Sequence, residues 1–133
     1  MRDHVETTFR AGRNIAMKVP PHQFEATIAF YRDVLGLPHL GSDENSERFA
    51  FGNVWLWIDC VATLSQAEIW LEVQCDDTDK ASEMLKAASV VRCDDIEPLP
   101  DDVDGFWIAN PAGIVHLVNH QRDTHQRDTD IVG

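Results

Sequence analysis

The sequence has no stretch of about 18 apolar residues and no hydrophobic signal region at its start, so neither a membrane helix nor a secretion signal is expected. It also lacks any Cys-x-x-Cys pair. Cys60, Cys75 and Cys93 are widely spaced and odd in number, which argues against zinc or dithiol chemistry and for free thiols in a reducing compartment. Basic residues are scarce, 11 against 23 acidic ones, for a formal net charge of -12. A surface of that sign repels phosphate backbones and anionic lipid, so the expected partner is a small molecule, with no nucleic acid and no membrane. A soluble, cytoplasmic protein is the resulting expectation. At 133 residues the chain fits one compact domain with a proper core.

What is present is periodicity. Asn14 to Val19 alternates, with Ile15, Met17 and Val19 apolar on one side, as in a half-buried strand that Pro20 and Pro21 end. A helix is predicted from about His22 to Leu35, with Phe24, Ile28, Tyr31 and Leu35 as its buried stripe and Gly36 supplying the left-handed stop. Leu37 to Gly41 reads as a strand and Ser42 to Ser46 as a turn. Glu47 to Gly52 and Asn53 to Cys60 read as two strands hinged at Gly52-Asn53.

After a connector, Glu68 to Cys75 alternates again. Asp76 to Asp79 then place acidic and capping groups where a second helix, bearing Ala81, Met84, Leu85 and Ala88, should begin. Short strands come next at Val90 to Cys93, Gly105 to Ala109 and Ile114 to Asn119, the last two joined by the turn residues Asn110-Pro111-Ala112-Gly113. The order β-α-β-β-β therefore occurs twice. Residues 1–13 form an arm, 14–119 a single domain of modules 14–61 and 67–119, and 120–133 a polar tail with a tandem His-Gln-Arg-Asp-Thr. Two such modules predict an α+β fold, a curved mixed sheet with both helices outside.

Taking the apolar member of each alternation as the helix-facing one leaves an opposite face holding Asn14, Ala16 and Lys18; Trp55, Trp57 and Asp59; Glu68, Trp70 and Glu72; and Ile114, His116 and Val118. A solvated face seldom carries so much tryptophan, and a structural core seldom carries so many charges. A pocket with aromatic walls fits both facts, as does a dimer interface.

Phe30-Tyr31-Arg32-Asp33-Val34-Leu35-Gly36-Leu37 and Gly105-Phe106-Trp107-Ile108-Ala109-Asn110-Pro111-Ala112-Gly113-Ile114-Val115-His116-Leu117-Val118 closely resemble the two signature stretches of the vicinal oxygen chelate superfamily. That group includes glyoxalase I, extradiol dioxygenases, and the bleomycin and fosfomycin resistance proteins. The resemblance covers about Asn14 to Asn119 and implies the paired-module glyoxalase-like fold, a ligand held in the cup between modules, and a homodimer. It also implies where the enzymes of the superfamily place metal ligands: here Asn14 on the first strand, Trp70 or Glu68 opening the second module, His116 on the last strand, and Asp59 or Trp57 on the fourth.

Asparagine is a poor ligand for a catalytic divalent ion and tryptophan is none, so a metal site would need the unconventional set His116, Asp59 and Glu68. Metal-free acid and base work would fall to His116, oriented by Asp59 or Glu72. The preferred expectation is ligand binding with no cofactor. In it Trp55, Trp57 and Trp70 stack on an aromatic or cationic molecule, and Glu72, Lys18, Asn14 and His116 complete the site.

Overall fold

The computed structural model describes residues 7–120, so most of the tandem tail and the first part of the arm lie outside the described residues. The described residues form two compact units, one of Arg13–Trp70 and the other of residues 7–12 together with 71–120.

The Arg13–Trp70 unit holds β2 (Asn14–Val19), α1 (Pro21–Ala29), a π turn (Phe30–Val34), β3 (His39–Asp43), β4 (Ser46–Phe51), β5 (Val54–Cys60) and the start of β6 (Glu68–Cys75). Its sheet runs β3-β4-β5-β2, with β2 parallel to β5, and the first residues of β6 lie antiparallel to β2. Pro21 begins α1, where a missing N–H costs nothing. The strand alternation of β2 and β5 points Val19, Leu56 and Ile58 at α1, where they join Ile28 and Phe49, with Ile15, Met17, Phe24 and Tyr31 packed around them. Phe49 and Ile58 are 0% exposed, and burial of each contributes about 1.5–3 kcal/mol.

Leu35 departs from the predicted stripe, being 50% exposed. Its N–H reaches back five residues to the Phe30 carbonyl rather than four, so the π turn inserts one residue and rotates Leu35 off the buried face. Gly36 then ends the helical run at φ +67, the left-handed stop expected of it.

The second unit holds β1 (Phe9–Ala11), the rest of β6, α2 (Thr78–Ala87), β7 (Val91–Arg92), a short 3-10 turn (Asp94–Ile96), β8 (Gly105–Ala109) and β9 (Val115–His120). The sheet order is β6-β9-β8-β7, with β1 pairing along the end of β6. The Asp77 carboxylate caps α2 by accepting from the Lys80 N–H at 3.0 Å, as the acidic run before that helix predicts. Its core gathers Cys75, Ala81, Phe106, Ile108 and Val118.

That core reverses one expected face. Val118 lies with Cys75 and Ala81 on the α2 side, and the β9 register pairs Leu71 with His116 and Val73 with Val118. Since faces alternate, His116 belongs to the α2 side and Val115, Leu117 and Asn119 to the other. Ile114, Val115, Leu117 and Val118 are all apolar, so the pattern of β9 alone carries no information about its faces. Ile69 and Leu71 were also expected beneath a helix, yet they remain 40% and 37% exposed.

Candidate functional site

On the face of the Arg13–Trp70 sheet opposite α1, register brings the sequence-predicted groups into neighbouring rows. Lys18 stands directly across from Asp59, and Ala16 across from Trp70. The Lys18 ammonium donates to Asp59 Oδ2 at 2.8 Å and sits 4.3 Å from the centre of the Trp70 ring. Ser46, opposite Asp59 in the β4–β5 hairpin, donates its hydroxyl to the other carboxylate oxygen. Trp70 Nε1 donates to Glu68 Oε1 at 2.9 Å, and Trp57 Nε1 donates to Asn14 Oδ1 at 2.6 Å.

The tryptophans divide by exposure. Trp55 is 1% exposed and Trp70 is 6% exposed, so both are packed as core residues are. Trp57 is only half-buried. With Gly41, Ser42, Asp43, Ser46 and Arg48 it lines an open depression of about 160 Å³. Its indole N–H is already fixed by Asn14, which presents the ring as a rigid flat wall.

Arg48 is the residue that sequence reasoning missed. Its guanidinium lies 5.3 Å from the Trp55 ring centre and 5.2 Å from that of Trp57. The signal was in the chain: a two-residue turn at Gly52-Asn53 pairs Phe51 with Val54, and counting back three places puts Arg48 opposite Trp57.

These contacts change the expected ligand. The cation-π positions on Trp70, Trp55 and Trp57 are taken by the protein's own Lys18 and Arg48, so a cationic ligand would have to displace a tethered cation. The Asp59 carboxylate, expected as a counter-charge, is committed to Lys18 and Ser46.

Glu72 lies in the second unit, 7% exposed, accepting from the Asn119 amide at 2.9 Å. Its side chain fills the space over Gly12, where even a Cβ would meet it at 2.2 Å. His116 is half-buried, its Nδ1 3.0 Å from the Ile114 carbonyl oxygen. It lies on the opposite face of β9 from Asn119, so Glu72 cannot orient it as a base.

The donors do not fit a catalytic divalent ion. Asn14 Oδ1, Glu68 Oε1 and both Asp59 oxygens already accept hydrogen bonds, and Leu117 takes the place expected for His116 on its strand face. Among the described residues no group of three or more His, Cys, Asp or Glu side chains is placed to hold a metal ion.

No protein-family model and no curated protein matches the sequence. Solved structures do match in fold. A Mn(II)-bound glyoxalase from Novosphingobium aromaticivorans superposes with a TM-score of 0.63 at 20% identity, over 86% of this chain and 40% of that one. A methylmalonyl-CoA epimerase from Mycobacterium tuberculosis gives 0.61 at 12% identity, over 88% and 91%. A glyoxalase/bleomycin resistance protein/dioxygenase superfamily member from Vibrio splendidus 12B01 gives 0.57 at 13%, over 86% and 100%. This chain thus spans under half the length of the glyoxalase it matches. No described helix is long and apolar enough to cross a membrane.

Proposed function

We propose that this chain, which carries the glyoxalase-like fold of the vicinal oxygen chelate superfamily, is a small-molecule binding protein that works without a metal and holds a flat ligand against Trp57. The observation that carries this reading is the half-buried Trp57 ring, fixed by Asn14, forming one wall of a depression whose other lining groups are mostly polar. Around it the Asp59 carboxylate is paired with Lys18 and Ser46, which supports binding over acid or base work by that residue. The net charge of -12 supports a small molecule as partner in preference to nucleic acid or a membrane surface.

Ligand sites for drug-sized molecules occupy roughly 300–1,000 Å³. A depression of about 160 Å³ suits a ligand with a single ring instead. The test is ligand-observed NMR with benzamide, a neutral flat probe. Saturable binding is expected for the native chain and its loss for Trp57→Ala, with the far-ultraviolet circular dichroism unchanged. Equal binding by the variant would refute the site.

A further inference from the structure

Resting on that reading of the Trp57 depression, we infer that the ligand carries a carboxylate, which Arg48 receives while the ring lies against Trp57. Arg48, which lines the depression beside Trp57, carries the inference. Acidic residues outnumber basic ones about two to one, yet among the described residues its guanidinium has no carboxylate partner and its buried Nε has no acceptor. The half-buried acid on this face, Asp59, is paired with Lys18 and Ser46. The buried Nε is out of a ligand's reach, so a carboxylate would meet the terminal nitrogens, one of which lies beside Gly41 in the lining of the depression.

The surroundings select the chemistry. A guanidinium is a planar fork whose paired N–H groups match the two oxygens of a carboxylate. It lies beside the depression's flat wall, within 5.2 Å of the Trp57 ring centre, so a ring and an acid group attached to it could engage both at once. Ser42 and Ser46 also line it, their hydroxyls already donated to Glu47 and Asp59. Gly41 leaves room beside the guanidinium, a Cβ there falling 3.5 Å from its terminal nitrogen. Asp43 also lines the depression but is exposed, so its repulsion is screened and is felt more by a dianion than by a monoanion. A single-ring monocarboxylate satisfies volume, charge and geometry together.

Benzoate, benzamide and benzylamine, titrated calorimetrically against the full chain at low salt, separate the possibilities. Benzoate should bind about tenfold to a hundredfold tighter than benzamide, the range of one charge-assisted bidentate contact, and benzylamine should be weakest. Arg48→Gln should bring benzoate down to the level of benzamide, and Arg48→Lys should keep part of the preference. If benzamide binds as well as benzoate and Trp57→Ala abolishes both, the carboxylate inference falls while the Trp57 site stands. If none of the three binds, both fall, and benzylamine binding tightest would reverse the sign. Should Arg48→Gln fail to fold, Asp43→Asn decides: a severalfold gain for benzoate alone supports the inference, and no gain or an equal gain for benzamide overturns it.

Discussion

The two units repeat one order of elements and use the sheet face away from their helix differently. In the Arg13–Trp70 unit that face carries an open depression, a half-exposed indole and a guanidinium without an acid partner among the described residues. In the second unit the corresponding face is sealed: Glu72, Gln74, Trp107 and Asn119 are 5–7% exposed. There Asn119 donates to Glu72, and the Trp107 indole donates to the Glu97 carbonyl at 2.9 Å. Buried unpaired atoms occur in both units, Arg48 Nε in the first and Asn119 Oδ1 in the second, so what separates the two faces is access: one is open beside Trp57 and the other is closed. The difference is what favours the first unit as the place of the proposed site.

The sharpest way to break that comparison is to truncate tryptophans inside and outside the depression. Trp55→Ala should cost about 3–5 kcal/mol, measured by urea denaturation, because a ring that is 1% exposed leaves a cavity. Trp57→Ala should cost roughly half as much, from partial burial and its Asn14 hydrogen bond, and should abolish benzamide binding. If the two variants lose stability equally and neither affects binding, both rings are core and the first unit is as sealed as the second.

Charge pairing comes next. Asp59→Ala removes the carboxylate paired with the Lys18 ammonium, whose side chain is 5% exposed, and should destabilise the fold by about 3 kcal/mol. The double variant Lys18→Met, Asp59→Leu should regain most of that loss, since the pair is structural and its attraction roughly balances its desolvation. In the second unit, Gly12→Ala should cost about 1–3 kcal/mol by forcing Glu72 out of its place, with no effect on benzamide binding. An effect on binding there would extend the site into the second unit.

Most of the fold was legible and less of the site. Paired βαβββ order, the Gly36 stop and the faces of β2 and β5 come from period, glycine chemistry and alternation, which are local. The face of β9 was not, because four apolar residues leave both sides equal, and only pairing with β6 decides. That face assignment is what placed His116 beside the tryptophans in the expected site. The cations were invisible for a related reason: Lys18 on Trp70 and Arg48 beside Trp57 are cross-strand contacts, fixed by register and absent from any single segment.

The smallest expected effect separates the units by pH. Burial pushes the Cys75 thiol above its ordinary value of 9.0. Unfolded chains therefore lose the proton at lower pH than the native state does, so above about pH 9 the native state binds more protons and stability falls as pH rises. The contribution is fully present below the unfolded value and disappears through the folded one. Cys75→Ala should shallow the decline of unfolding free energy between about pH 8.5 and 10, by at most about 1.4 kcal/mol per pH unit. Benzamide affinity over the same range should stay with the wild type, because the thiol sits in the α2 core of the second unit. A variant whose alkaline slope matches the wild type, or whose ligand affinity drops with it, would mean that the second unit's core is either open to solvent or coupled to the site.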